Sequence, residues 1–441
     1  MSRRESYIED EDFDQALNYS VFRKDLYKIF DAHRNKELII GELESEMSTF
    51  ARESERLERQ QLKSTHGPTA EIYDQFYRDH KLLLKLFQLL GVMPIIREPG
   101  AVAFRWISWP MIYAVIVYSI ATVIVILVGR ARANILLQTS KFDEYIYAVI
   151  FLIFLVPHFW IPFVGWGVAG EVARYKTMWG TFQVRYYRVT GTTLTFPNLA
   201  ILIGVMFIGC VFIAILFLVS LQNLLDGFLL WHTSAYYHII IMINMNACLW
   251  YINSTAIRIS ATSLSNQFQT DIHIECNASM ISQYRYLWLN LSELLQSLGN
   301  AYARTYSTYS IFMFVNITIS TYGALSGFLD HGIELKDVGL LVIALYCSIL
   351  LYVFADCSHK ATEVVARGIQ DTLCSVDLHK VDLQTQKEID LFIVAIRMNP
   401  AVVDLKGFGN VNRELLTSSL GIISIYLLVL LQFKLSLQKG I

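Results

Sequence analysis

The sequence has few charged residues and no excess of either sign. Charged side chains make up 17% of its 441 residues, against about 25% in ordinary soluble domains. Lys plus Arg number 36 and Asp plus Glu number 38, so the chain lacks the basic surplus typical of nucleic-acid binding, and we expect no nucleic-acid partner. Only eight prolines are present, which argues against a largely disordered chain.

Cysteine pairs and catalytic motifs are also missing. None of the six cysteines has CxxC spacing, so we expect neither a zinc nor a redox site. The ten histidines form no metal-ligand pair with a third partner, and no Walker, Rossmann, HExxH or GxSxG pattern occurs. We therefore expect no enzymatic activity and no cofactor. The charged N-terminus without an apolar run predicts no signal peptide.

Hydrophobic residues, by contrast, make up 54% of the chain. Charge is concentrated in residues 1–106, which hold 19 of the 38 acidic and 16 of the 36 basic residues. This pattern predicts a polar head followed by an all-α membrane domain, because a bilayer-crossing helix needs about 20 mostly apolar residues. Seven candidate spans lie at 107–129, 145–169, 197–221, 229–257, 305–327, 338–357 and 412–433.

The distribution of Lys and Arg predicts a cytosolic N-terminus and an extracellular C-terminus. The connection after span two carries Arg174, Lys176, Arg185 and Arg188, and seven Lys or Arg lie between 358 and 413. The first connection is a partial exception, because it also holds Arg130, Arg132 and Lys141. A receptor that couples to G proteins has its N-terminus outside, so this seven-span chain is inverted. We expect a multi-pass protein of the plasma membrane, in contact with lipid.

These observations divide the chain into five segments. The third also contains a cytosolic helix at 278–304. The segments are a charged, partly disordered cytosolic region at 1–70, an amphipathic pre-membrane helix at 71–106, spans one to six with the ligand pocket at 107–357, cytosolic anchor helices at 358–411, and span seven with the extracellular C-terminus at 412–441.

Apolar residues recur at spacings of three and four over residues 281–302. Such a heptad stripe needs a partner helix, and the connection at 358–411 is the expected partner. Two alternatives stay open with even weight: the stripe closes a bundle within one chain, or it also joins subunits as an anchor. The anchor residues are Tyr284, Trp288, Leu291, Leu295 and Leu298.

Polar and aromatic side chains cluster in the span halves that are predicted to face outward. Polar groups are costly in lipid and usually face a cavity or the bundle interior. Aromatic rings with a few hydrogen-bonding groups line small-ligand pockets. For a single residue, interface anchoring or interhelical packing is the alternative. The candidate pocket residues are His158, His232, Tyr236, Tyr237, His238, Thr318, Tyr322 and Tyr346.

The last span carries a short motif. Ile425, Val429 and Gln432 lie on one helical stripe that suits a pore or a tight helix contact. Tyr426, five apolar residues, Gln432 and Phe433 resemble the C-terminal signature of the insect gustatory receptors, Thr-Tyr-five hydrophobics-Gln-Phe. Ile425 replaces the usual Thr, so any hydrogen bond of that hydroxyl is absent here. The resemblance covers essentially residues 70–441.

The resemblance implies a tetrameric, ligand-gated, non-selective cation channel. The last span of each subunit would line a central pore, with Ile425 and Val429 along it. Gln432 and Phe433 would form the outer gate, because apolar rings block ions by dewetting. A ring of four Lys434 side chains would repel cations, so we expect Lys434 to point away from the pore. Cytosolic helices would form a shared anchor.

Two segments, at 74–95 and 398–420, are similar to the carbon-dioxide-sensing branch of the family. That branch works as assemblies of more than one related subunit, so a homo- or hetero-tetramer is expected. The implied ligand is carbon dioxide or another small volatile. A sugar-gated receptor is the alternative, although the predicted pocket has few of the carboxylate and amide groups that sugar recognition needs. Two further alternatives are a co-subunit that binds no ligand and a transporter.

Overall fold

The structure is a computed structural model. Within the unit Gly67–Ile441 it describes residues 73–98, 101–138, 142–224, 230–332, 334–407 and 409–439. The predicted cytosolic region at 1–70 lies outside the described residues.

Helices dominate the described chain. In chain order they are α1 (Gln75–Leu89), α2 (Trp109–Gln138), α3 (Phe142–Thr190), α4 (Leu199–Leu224), α5 (Thr233–Ile274), α6 (Ala278–His331), α7 (Leu335–Cys374), α8 (Leu383–Met398) and α9 (Arg413–Lys439). Single 3-10 turns at Leu230–His232 and Leu378–Lys380 and the antiparallel strands β1 (Ile95–Glu98) and β2 (Ala101–Phe104) complete the elements.

Seven of these helices, α2 to α7 and α9, are long and apolar enough to cross a membrane. The prediction of seven spans is therefore confirmed. Several helices are longer than the roughly 20 residues that a bilayer requires: α3 has 49, α5 has 42, α6 has 54 and α7 has 40 residues. The segment 278–304, predicted as a separate helix, continues without a break into the span at 305–327, and α7 likewise continues past residue 357.

Side-chain caps explain where several helices begin. Asn277 accepts a hydrogen bond from the backbone N–H of Met280 at 2.8 Å, at the start of α6. Asp382 does the same for Thr385 at the start of α8. Such caps satisfy backbone donors that have no partner within the helix. A new helix, α6, therefore begins after the cap at Asn277. Helices α5 and α6 run antiparallel to each other.

The segment 71–106 differs from the single amphipathic helix predicted for it. Its helix α1 ends at Leu89, and a two-stranded hairpin follows, in which Ile95 pairs with Phe104. The dipeptide Pro99-Gly100 separates the strands in the sequence and is typical of turns. The apolar face of α1 packs on the bundle, with the ring centroid of Phe76 4.2 Å from that of Trp179 on α3.

Helix α6 is at the centre of the bundle, where it packs against α3, α7, α8 and α9. Helix α5 packs mainly against α7 and α4. In α5, 83% of the most apolar stretch is buried within the chain, whereas in α9 only 6% is. Helix α9 therefore lies on the outside of the protomer.

The bundle has a proximal end and a distal end. The proximal end holds α1, α8 and the first residues of α9; the distal end holds the last residues of α9 and the ends of α5 and α7 that come first in the chain. At the proximal end, the indole N–H of Trp288 donates to the carbonyl of Val365 at 2.9 Å. At the distal end, Lys434 of α9 contacts Asp330 of α6.

Candidate ligand pocket and pore helix

Two predicted pocket histidines come together at the distal end. The imidazole of His158 on α3 is fully buried, and its ring centroid lies 6.4 Å from that of His238 on α5. The hydroxyl of Thr122 lies 2.9 Å from His158 Nε2, and Tyr118 stacks on His158 at 4.8 Å. The remaining ring nitrogen of His158, Nδ1, has no hydrogen-bond partner among the described residues. Helix α2 therefore supplies half of this cluster, although the sequence analysis assigned it no pocket residue.

A cavity of about 270 Å³ lies beside this cluster, between α2 and α5. Its wall is almost entirely aliphatic, with one imidazole and one hydroxyl as polar groups. That volume lies just below the range of about 300–1,000 Å³ for drug-sized ligands, so it suits a smaller molecule. The lining residues are Val117, Ile120, Ala121, Ile124, Val125, Ser234, Ala235 and His238.

His232 and Tyr236 lie in a neighbouring cluster around a buried arginine. Arg132 Nη2 lies 3.2 Å from His232 Nδ1, and its guanidinium carbon is 5.1 Å from the ring centroid of Phe151. Tyr236 donates its hydroxyl hydrogen to the carbonyl oxygen of Phe151 at 3.3 Å. Arg132, which the sequence analysis assigned to a loop, is only 5% exposed because α2 extends to Gln138.

Tyr346 belongs to a third cluster, between α5 and α7. Its hydroxyl donates to Asn244 Oδ1 at 2.7 Å, and Asn246 Nδ2 donates to the hydroxyl of Tyr309 at 2.8 Å. The two asparagines were missed in the sequence analysis, although an amide within an apolar span is itself a signal of a buried polar contact. Asn244 Nδ2 has no partner among the described residues.

The other three predicted pocket residues do not line the cavity between α2 and α5. Thr318 and Tyr322 are half-buried on α6, and the hydroxyl of Thr318 donates to the carbonyl of Phe314 in its own helix at 2.9 Å. Tyr237 is partly buried against the hydrophobic core. Seven of the eight predicted residues are thus divided among the two histidine clusters, the Tyr346 cluster and one face of α6, whereas Tyr237 packs against the core.

The predicted pore residues lie on the outer surface of α9. Ile425 and Phe433 are each 65% exposed, Val429 is 41% exposed, and Gln432 is exposed as well. Lys434 faces the opposite way, towards its own chain: its ammonium nitrogen is 2.5 Å from Asp330 Oδ2 on α6. One helix therefore presents a mixed polar and apolar stripe away from its own chain and a cation towards it.

The five predicted anchor residues are buried within the single chain, where each is at most 1% exposed. The hydroxyl of Tyr284 donates to Asp271, and the ring centroid of Trp288 lies 6.1 Å from that of Phe392 on α8. These side chains close the bundle inside one protomer and leave no free area for a second one. A contribution of these residues to subunit assembly stays a prediction. The other three predicted anchor residues are Leu291, Leu295 and Leu298.

A buried polar cluster at the proximal end was not predicted. Lys176, which the sequence analysis counted as a basic loop residue, lies within α3 and is 3% exposed. Its ammonium group donates to Asn253 Oδ1 at 2.7 Å and lies 3.1 Å from His80 Nε2. Burial, followed by the charge of Lys176, holds the pKa of His80 well below its usual 6.5.

Among the described residues, no group of three or more His, Cys, Asp or Glu could hold a metal ion.

Comparison with known proteins agrees with this fold. Residues 80–437 match the model of the 7tm chemosensory receptor family. The chain is 40% identical to gustatory and odorant receptor 22 of Anopheles gambiae, over 83% of this chain and 80% of that protein. It is 39% identical to gustatory and odorant receptor 21a of Drosophila melanogaster, over 84% of this chain and 83% of that protein.

Solved structures share the same architecture. The insect olfactory receptor OR5 from Machilis hrabei superposes with a TM-score of 0.52 at 12% identity, over 82% of this chain and 99% of that one. Its complex with eugenol gives 0.51 at 11% identity, over 80% and 97%. The seven-helix fold, the family model and the relatives together carry one conclusion. This chain is a multi-pass membrane protein of the 7tm chemosensory receptor family and belongs with the insect gustatory and odorant receptors.

Proposed function

We propose that this chain is a subunit of a chemosensory, ligand-gated, non-selective cation channel that responds to carbon dioxide or another small volatile. The observation that carries the channel function is the exposed polar stripe of α9. Ser418, Gln432 and Ser436 are all exposed along a helix that is apolar enough to cross a membrane. Polar groups that face lipid are costly, whereas a water-filled pore hydrates them.

The same exposure supports an assembly of four related chains around α9. A central pore needs several copies of the lining helix, and α9 of one chain is covered on one side only. Ile425 and Val429 would then face the pore, with Gln432 and Phe433 at its distal mouth. Rings of Phe433 would block ions by dewetting, and rotation of the helix would replace them by polar groups. The other subunits are copies of this chain or related receptors.

We further propose that the distal end faces the outside of the cell. Basic residues concentrate in the segments that lead to the proximal end, as the positive-inside rule requires for a cytosolic location. In this orientation the anchor region at 358–411 lies in the cytosol, and the last residues of α9 lie outside the cell. An epitope tag after Ile441 tests this directly: it should be stained on unpermeabilised cells, and staining only after permeabilisation would contradict the orientation.

For the ligand site we favour the distal clusters around His158 and His238 and the adjoining cavity. Among the described residues, those that line the cavity include no carboxylate and no amide. A sugar needs several such groups, because each of its hydroxyls loses hydrogen bonds to water on binding. An aliphatic wall with one imidazole and one hydroxyl suits a small, weakly hydrated molecule. The identity to two receptors named for both taste and odour supports such a ligand.

The decisive experiment is patch-clamp recording from cells that express this chain, alone and with related subunits, during pulses of dissolved carbon dioxide. We expect a cation current in at least one combination. Gln432→Ala and Phe433→Ala should change the leak current or the ion selectivity. Leu430→Ala is the matched control, because Leu430 is also exposed on α9 but lies about 160° around the helix from Gln432. Wild-type currents from both gate variants would remove these residues from the pore.

A co-subunit that binds no ligand itself is the second candidate. It is favoured by Tyr236, a predicted ligand contact that is 1% exposed and already bonded to Phe151. His238→Ala separates the two functions, because His238 lines the cavity. If this chain binds the ligand, the variant should shift the ligand concentration that gives half of the maximal current. An unchanged response would place the ligand site in a partner subunit.

A further inference from the structure

Helix α9 is attached to its own chain by an ion pair near each end. Near its start, Nε and Nη2 of Arg413 donate to Asp356 Oδ1 of α7 at 2.9 and 2.6 Å, which we call the proximal tie. Near its end, Lys434 binds Ser326 and Asp330 of α6, which we call the distal tie. The stretch between the two ties is largely exposed, apart from positions such as the buried Ile423.

The distal tie satisfies the whole ammonium group of Lys434. Its nitrogen is 2.7 Å from the carbonyl oxygen of Ser326, 2.5 Å from the hydroxyl of Ser326 and 2.5 Å from Asp330 Oδ2. An ammonium group has three donors, and three acceptors surround it here. The lysine side chain is only 11% exposed. The tie is therefore a specific contact and not a loose surface ion pair.

The tie also sets the rotation of the last turns of α9. Successive residues of an α-helix differ by about 100° around its axis. With Lys434 directed at α6, Phe433 points about 100° away and Gln432 about 200° away from that direction. Both are exposed, as this geometry requires. The direction of the two gate residues thus depends on a single side chain that follows them in the sequence.

On α6, the tie lies on the same stripe as two predicted ligand residues. Thr318, Tyr322, Ser326 and Asp330 are spaced by four residues, and such residues line up along one face of a helix. Tyr322 and Asp330 therefore move together when this part of α6 shifts or rotates, and Asp330 is the carboxylate that holds Lys434.

We propose that Lys434 is a positioning residue of the gate, and that the distal tie transmits movement of α6 at Tyr322 to the last turn of α9. This inference rests on the proposed channel function. In the closed state the tie fixes the directions of Gln432 and Phe433 relative to the pore. Ligand binding beside His158 on α3 shifts α6, which packs against α3. This movement displaces Asp330 and weakens the tie, and the last turn of α9 then rotates.

The first test measures currents evoked by dissolved carbon dioxide, normalised to surface expression by biotinylation. Lys434→Met and Asp330→Asn should each shift either the half-activating concentration or the ratio of basal to maximal current by at least about fivefold, the lower range of coupling between sites. The exchanged pair, Lys434→Asp with Asp330→Lys, should recover most of that shift. Ser424→Ala is the control, because Ser424 is exposed outside the stripe and its hydroxyl donates to the carbonyl oxygen of Leu420 within α9 at 2.9 Å.

Single variants that keep wild-type basal current and activation curves would overturn the proposal. So would an exchanged pair that is no closer to wild type than the single variants, because an effect of charge on ion flow alone needs no contact between the two residues. Ser326→Ala, which removes one of the three acceptors, serves where a charge variant does not reach the surface. It should give a smaller shift in the same direction.

A second test needs no ligand and no current. Ser436→Cys places a thiol on the exposed face of the last turn, and its alkylation rate in permeabilised membranes is followed by mass spectrometry of the peptide that contains position 436. Adding Lys434→Met should raise that rate by at least about fivefold. An unchanged rate refutes the tie. A faster rate in a chain that never conducts would instead keep the tie and reject the channel function.

Discussion

Gly299 offers a sharp test of how the proximal end is packed. It lies in α6 where the loop between α8 and α9 crosses the helix. A Cβ added at this position would meet the backbone of Asp404, with the nitrogen at 3.0 Å, the carbonyl carbon at 3.2 Å and the carbonyl oxygen closer still. The loop has little freedom to move away, because Val403 and Leu405 are buried and Lys406 is paired with Glu171 at 2.8 Å.

Two opposing terms determine the effect of Gly299→Ala. Replacing Gly by Ala inside a helix stabilises it by about 1 kcal/mol. Forcing an extra carbon into a packed contact typically costs about 1–3 kcal/mol, and more where the obstructing atoms cannot move. Here the obstructing atoms are backbone atoms, so we expect the steric cost to exceed the helical gain. The folded protein should lose about 1–2 kcal/mol of stability.

Gly180→Ala is the matched control. Gly180 also lies within a long helix, α3, but the nearest atom to an added Cβ is Asp74 Oδ2 at 3.6 Å, an ordinary contact distance. Only the helical term applies, so this variant should gain about 0.5–1 kcal/mol. The same chemical change is thus expected to have opposite signs at two positions, for a reason that only the neighbouring atoms supply.

The measurement is the thermal unfolding midpoint of the detergent-solubilised protein, followed by fluorescence-detected gel filtration. Gly299→Ala should unfold several degrees below wild type and Gly180→Ala at or above it. Because the loop leads directly to Arg413, we also expect Gly299→Ala to disturb the proximal tie. If Gly299→Ala is as stable as Gly180→Ala, the close approach of the loop to α6 is wrong.

Two further predictions concern buried polar groups. Trp250→Phe removes the indole N–H that bonds Ser358 at 2.8 Å and should cost about 1–3 kcal/mol of stability, whereas Trp106→Phe at a 62% exposed position should leave the unfolding midpoint unchanged. His80 titrates near pH 6.5 when unfolded, but burial and the charge of Lys176 lower its pKa in the fold. Below pH 6.5 the unfolded state binds more protons than the folded state. The free energy of unfolding should therefore fall by up to about 1.4 kcal/mol for each unit by which the pH is lowered. His80→Gln should flatten this dependence between pH 7 and 5, and an identical slope would contradict the burial of His80.

Hydrophobic runs predicted the number of spans but not the lengths of the helices. Span one was predicted at 107–129, whereas α2 runs from Trp109 to Gln138. Span five and the helix before it form one 54-residue helix. The membrane limits the apolar stretch, while the helix continues beyond it for as long as backbone bonds and neighbouring helices support it. Residues such as Arg132 were therefore assigned to loops, although they lie inside a helix.

Burial of charged residues could not be predicted from local sequence. Lys176 is enclosed by His80 and Asn253, which are 96 and 77 residues away in the chain. The periodicity at 281–302 likewise predicted an apolar face on α6, but the partner of that face depends on how the chain turns back. Trp288 contacts α7 and α8 of the same chain. Its side chain therefore packs within one bundle, which was the first of the two alternatives for this stripe.

By itself, the sequence determined the seven spans, the charge-poor body and the stripe that carries Gln432, because each is a repeating or continuous property of neighbouring residues. The sequence alone also carried the motif that resembles the C-terminal signature of the family. Only the tertiary structure decided which side of α9 faces its own chain, that Lys434 is bound by Ser326 and Asp330, and that the anchor residues are covered within one protomer. These facts depend on contacts between residues about a hundred positions apart, which packing brings together and which no local pattern records.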